Sequence, residues 1–169
     1  LGCFSNNPLL SFIVLRGKCR FCHKQISWRY PVVELLTAVA FVLTGWNPAM
    51  WLIGSIFIVI FFSDLIYGLI PDEMIILGVI ASVAKQSSFV VGLLTALPFF
   101  IFSKFKLMGE GDIGLAFLMG LLLGWPKIII ALWSAFILGG VTAIILLLLK
   151  RTKLSATIPL GPFLIMGTI

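Results

Sequence analysis

Residues 128–149 read IIIALWSAFILGGVTAIILLLL, without a charge from one end to the other. About twenty predominantly apolar residues carry a helix across a bilayer, so this run constrains the whole chain toward a membrane fold. Five further apolar runs precede it: Val32–Trp46, Met50–Tyr67, Met74–Ala84, Phe89–Phe102 and Ile113–Trp125. The run just quoted is the sixth, Ile128–Leu149, and a seventh opens near Ile158. The 169 residues are 61% hydrophobic and 11% charged, too little polar surface for a soluble domain of that length. The sequence predicts an all-α fold. Residues 31–169 are expected to form a polytopic transmembrane helical bundle, and residues 1–30 a small cytoplasmic N-terminal segment containing cysteines. The chain opens on Leu1 without an initiator Met, and that segment is expected to be truncated at its start.

The net charge is +6, with twelve Lys and Arg against six acids. In a soluble protein such a balance would raise the question of nucleic acid. Here the basic residues sit in the connections, where membrane orientation explains them, and nucleic acid is not an expected partner. Arg16, Lys18, Arg20, Lys24 and Arg29 precede the first run, Lys104 and Lys106 follow the fourth, and Lys150, Arg151 and Lys153 follow the sixth. With alternating spans, ten of the twelve fall on one side, and only Lys85 and Lys127 on the other. The positive-inside bias makes the first side cytoplasmic. Asp64, near the end of run two, and Asp112, at the start of run five, then meet at that same face.

Asp64 lies between IFIVIFFS and LIYGLIP. An acid at the margin of a membrane helix is costly and defaults to a functional role. A purely snorkelling carboxylate is the weaker account, because near a helix C-terminus it opposes the dipole. Asp112, in GEGD before an apolar run, reads by itself as an N-cap or first-turn acid. Asp72 and Glu73 after Pro71, and Glu34 after Pro31, also suit first turns. Asp72 is kept as a second-tier site candidate. Together, Asp64 and Asp112 can do more than cap. Two carboxyls in one site do not readily both ionise, so one keeps a proton. The ionised one takes a proton from a water held between them, and the protonated one donates to a scissile carbonyl. Gly109 and Gly111 would let backbone approach an extended peptide and let Asp112 turn inward.

These residues resemble the type IV prepilin peptidases, membrane aspartyl proteases with a GxGD motif. The resemblance is carried by KLMGEGDIGLAF with GLLLGW after it, by DLIYGLIPDEM, by the N-terminal LLSFIVLRGKCRFCHKQISWRYPVVELLTA, and by IPLGPFLIMG near the end. Four motifs in order cover nearly the whole chain. The resemblance implies an inner-membrane, multi-pass bacterial enzyme whose active site faces the cytoplasm. Such enzymes cut the basic leader from type IV prepilins and type II secretion pseudopilins. By motif position Asp64 and Asp112 match the catalytic pair, with no cofactor needed for proteolysis.

Many members also methylate the new N-terminus with S-adenosylmethionine. The family commonly carries two CxxC pairs associated with zinc. Here Cys19 and Cys22 form one pair beside His23, and Cys3 stands alone. Cys19 and Cys22 are candidate zinc ligands, two of the four that a structural site takes. The other pair would fall before Leu1: either truncation removed it or this member lacks it. Gly139 and Gly140, in FILGGVTA, read as a close helix contact. Two alternatives remain from the residues alone. One is a proton- or cation-coupled transporter using Asp64 and Asp112, and the other is a structural subunit whose acids only cap and pair.

Overall fold

The computed structural model describes residues 12, 17–18, 25–83, 88–105, 108–149 and 159–168. Cys19 and Cys22 lie outside the described residues, as do Ala84 and Ile158. Among the described residues the fold is all-α, with seven helices and no strand. These are α1 (Arg29–Thr44), α2 (Pro48–Tyr67), α3 (Asp72–Val83), α4 (Phe89–Lys104), α5 (Glu110–Leu123), α6 (Lys127–Leu148) and α7 (Gly161–Met166). Two of them, α2 and α6, are long and apolar enough to cross a membrane, and α4 is a shorter apolar helix. The chain divides into two compact units, Leu1–Ile58 and Val59–Ile169.

In the first unit, α1 begins earlier than the apolar run that marks it. Arg29 and Tyr30 are already helical, so Glu34 sits beyond the first turn rather than in it. Its Oε2 is buried without a hydrogen-bond partner among the described residues. The helix stops at Gly45, whose φ of 63° is a left-handed conformation that favours glycine. Asn47 then starts α2: its side-chain oxygen accepts from the N–H groups of Ala49 (3.2 Å) and Met50 (3.4 Å). Trp51 stacks on Phe41 at 5.2 Å and donates its indole N–H to the Gly45 carbonyl at 2.7 Å. That bond pins the corner between the two helices.

The second unit is organised around α5. Its Leu115, Ala116, Leu118, Met119, Gly120 and Leu121 are buried, and it packs against α3, α4, α6 and α7. Small residues let these helices close on one another. A methyl group added at Gly114 would stand 2.6 Å from Ile75 Cδ1, and one at Gly78 would stand 2.7 Å from Leu118 Cδ2. Gly120 meets Gly92 and Thr95 of α4 in the same way. Such small-residue contacts are how apolar helices associate when hydrocarbon surrounds them. A Cβ at Gly139 would meet the Phe163 ring of α7 at an ordinary 3.5 Å, whereas one at Gly140 would meet open space. Of the pair expected at a helix contact, the first faces a neighbouring helix, at a distance that does not require glycine.

Helix α5 ends at Gly124 (φ 63°), so Trp125 lies past it, although hydropathy alone runs the segment through Trp125. The seventh run yields only six helical residues. It closes in a turn where Gly167 N–H bonds Phe163 O (2.9 Å) and Thr168 Oγ1 bonds Ile165 O (2.6 Å). Gly124→Ala is expected to destabilise the chain by about 1–2 kcal/mol, the cost of left-handed backbone in a residue with a Cβ. Gly140→Ala, in a helix interior with free space, is expected to stabilise it by roughly 0.5–1 kcal/mol. Thermal unfolding in detergent reads both, and the two shifts should have opposite signs.

Candidate active site

Asp64 lies in the last turn of α2, one turn before Gly68 turns the chain with a φ of 63°. The Gly68 N–H bonds the Asp64 carbonyl at 2.9 Å, and Ser63 Oγ donates to Leu69 O at 2.9 Å. These bonds fold the connection back beside the helix end and present Ile70 to the start of α5. There Ile70 occupies the space beside Gly111: a Cβ at Gly111 would stand 2.8 Å from Ile70 Cβ. The sequence points to Gly111 as room for a substrate backbone, and in the structure that room is filled by Ile70 of this chain. The contact ties the segment after Asp64 directly to the turn that carries Asp112.

Asp112 is the third residue of α5, and the N-cap position belongs to Gly109, not to Asp112. Gly109 has ordinary extended backbone (φ −70°, ψ 150°), and its carbonyl accepts the Asp112 N–H at 3.3 Å. The first-turn reading of Asp112 therefore holds. It is incomplete, because the residue is also buried, with only 9% of its surface exposed.

Asp64 is equally buried, at 6% exposure. Its Oδ2 accepts the backbone N–H of Gly161, the first residue of α7, at 2.9 Å. The two carboxyls lie within electrostatic reach of each other. Asp64 and Asp112 thus come together from the end of one helix and the start of another. No lysine or arginine makes an ion pair with either among the described residues. Buried charge of one sign with no counter-ion is expensive, and such an arrangement is characteristic of a site rather than of a scaffold.

The other acids differ in exposure. Asp72 and Glu73 are exposed on the first turn of α3, and Asp72 makes no hydrogen bond or ion pair among the described residues. Glu110 is likewise exposed at the start of α5. An open apolar depression of about 560 Å³ on α6, lined by Ile129, Leu132, Trp133, Phe136 and Ile137, contains neither buried aspartate. Gly161 is the participant that residue-by-residue reasoning misses. Its only signal in the sequence is its place within LGPF, in the stretch that resembles the family's C-terminal Pro-Gly-Pro region.

The family model described as "Type IV leader peptidase family" matches residues 51–144, and "Bacterial Peptidase A24 N-terminal domain" matches residues 1–48. Curated relatives agree. The prepilin leader peptidase/N-methyltransferase of Aeromonas salmonicida (strain A449) is 34% identical over 182 residues, covering 94% of this chain and 62% of the relative. The protein of the same name from Legionella pneumophila is 33% identical over 191 residues, covering 95% and 64%. The type 4 prepilin-like proteins leader peptide-processing enzyme of Escherichia coli O78:H11 is 33% identical over 188 residues, covering 97% and 68%. The chain therefore spans a little under two thirds of the length of the first two. No solved structure matches. The first family model takes in both aspartates and the GxGD turn between its ends. With that match and relatives of this similarity over nearly its full length, the chain belongs to the type IV leader peptidase family.

Proposed function

We propose that the chain is a membrane aspartic endopeptidase that cuts the basic leader from type IV prepilins and type II secretion pseudopilins. The observation that carries this reading is the pair of buried carboxyls, Asp64 and Asp112, within electrostatic reach of each other in a chain of this family. Sharing one proton, the pair holds a water between them. The ionised carboxylate removes a proton from that water as its oxygen attacks the scissile carbonyl carbon. The other carboxylic acid donates its proton to the carbonyl oxygen, giving a neutral tetrahedral diol. Collapse of the diol breaks the C–N bond: the leaving nitrogen takes the proton from the first aspartic acid, and one diol hydroxyl returns its proton to the second aspartate, which restores the shared-proton pair. No cofactor enters this step. The Gly161 N–H holds one oxygen of Asp64 in place, which leaves the remaining oxygens of the pair for water and substrate.

A multi-pass topology in the bacterial inner membrane goes with this reading. Support comes from the two long apolar helices and from exposed apolar side chains such as Val42, Leu43, Ile80, Leu94, Trp133 and Leu148. The distribution of basic residues puts the N-terminal segment, residues 1–30, and both aspartates at the cytoplasmic face. A prepilin offers a basic leader there and a hydrophobic helix in the lipid, so its junction lies at the depth of the pair. Family membership favours the peptidase over the transporter.

The names of the relatives, prepilin leader peptidase/N-methyltransferase, also support a second reaction, methyl transfer from S-adenosylmethionine to the amine that the cut exposes. Zinc held by Cys19 and Cys22 remains a proposal about the N-terminal segment, and cleavage is not routed through it. The test is incubation of the purified chain with a full-length prepilin in detergent, read by mass spectrometry. A single cut at the junction of basic leader and hydrophobic helix is expected, with the mature product one methyl group heavier when S-adenosylmethionine is added. A prepilin left intact would sink the peptidase reading, and a cut without added mass would sink the methyl transfer alone.

A further inference from the structure

The Asp64 carboxyl is held by a main-chain N–H from far along the sequence. The Gly161 donor is 97 residues from Asp64 and reaches it only when α7 is seated in the fold. Seating of α7 is itself specific. Gly139 of α6 meets the Phe163 ring, Ser134 Oγ lies 3.4 Å from Gly167 O, and Gly167 packs so closely on the Ala131 carbonyl that a Cβ there would overlap it. At the other end of α7, a Cβ on Gly161 would stand 2.5 Å from Asp64 Oδ2 and 3.1 Å from its Cγ. Gly161 therefore both supplies a hydrogen bond and leaves room for the carboxylate. No other residue type could do both without moving Asp64.

We propose that Gly161 is a positioning residue for Asp64, so that docking of α7 completes the aspartate pair. Its N–H fixes Oδ2 and thereby aims the other oxygen at the water. This inference rests on the reading of Asp64 as one of the two catalytic carboxyls. Because Gly161 acts through Asp64 and not on substrate, its loss should appear in kcat and leave KM alone.

The experiment compares Gly161→Ala with the unaltered chain on a synthetic prepilin peptide in detergent, alongside thermal unfolding. A displaced carboxylate is expected to lower kcat on the order of 10²-fold, with KM within about threefold. Gly140→Ala, which meets open space, should cleave like the unaltered chain. The unfolding arm adds Asp64→Ala and the double variant. If the clash is with the Asp64 carboxylate, Gly161→Ala should lower the melting temperature in the original background and hardly at all beside Asp64→Ala. That arm decides the matter even if Gly161→Ala alone fails to fold. Unchanged kcat in Gly161→Ala, or an equal loss of stability in both backgrounds, would overturn the proposal. If instead Asp64→Asn still cleaves, the peptidase reading falls, while the unfolding arm still reports whether Gly161 and Asp64 are coupled.

Discussion

Asp64→Asn and Asp112→Asn are each expected to lower the rate of leader cleavage by about a thousandfold or more, within the range that general acid–base groups contribute. Asparagine keeps the size of the side chain, and at position 64 an oxygen that can accept the N–H of Gly161, so the packing described for both sites should survive. It cannot take a proton from water or give one to a carbonyl oxygen at neutral pH. Loss of activity with retained helical content and an unaltered melting temperature is therefore the expected result. The same outcome separates catalysis from the structural reading, in which the acids only cap and pair. An Asp72→Asn variant should cleave normally, because that side chain is exposed on α3 and makes no hydrogen bond or ion pair among the described residues.

A large loss of stability is expected for an added methyl at Gly120. A methyl group there would stand 2.7 Å from the Gly92 Cα, 2.7 Å from Thr95 Oγ1 and 3.0 Å from Thr95 Cβ. Backbone cannot rotate out of the way as a leucine tip can, so α4 and α5 must separate or Thr95 must leave its bond to Val91 O. Overpacking of this kind costs about 1–3 kcal/mol. Gly120→Ala should lower the thermal midpoint clearly more than Gly78→Ala, where the opposing atoms are the mobile methyls of Leu118. Equal shifts would mean that the two helices can separate freely at Gly120.

Much of this site is legible before any coordinates. Asp64 stands out because an acid amid IFIVIFFS and LIYGLIP needs a reason. Asp112 does not, since GEGD before an apolar helix is an adequate helix start, and it does serve as one. The second role proposed for it rests on topology and motif, which bring it to the face where α2 ends. The helix cores were also legible, whereas several ends were not. Gly45 and Gly124 stop α1 and α5 through left-handed backbone, which hydropathy does not register, so the apolar runs overshoot to Trp46 and Trp125. Gly111 was visible as a glycine with a purpose, but nothing local could say that Ile70 would fill the space. Gly161 was the least visible of all. Its contribution is a main-chain N–H, which every residue but proline possesses, delivered across 97 positions by tertiary packing.

The central claim is that Asp64 and Asp112 are one catalytic unit and not two independent contributors. The most direct measurement is the single-turnover cleavage rate of a prepilin by the Asp64→Asn/Asp112→Asn double variant, set against each single variant. Residues acting as a unit are strongly non-additive, so the double variant should be no slower than the slower single one. A double variant slowed by the product of the two single effects, or a single variant that cleaves at close to the original rate, would contradict the account.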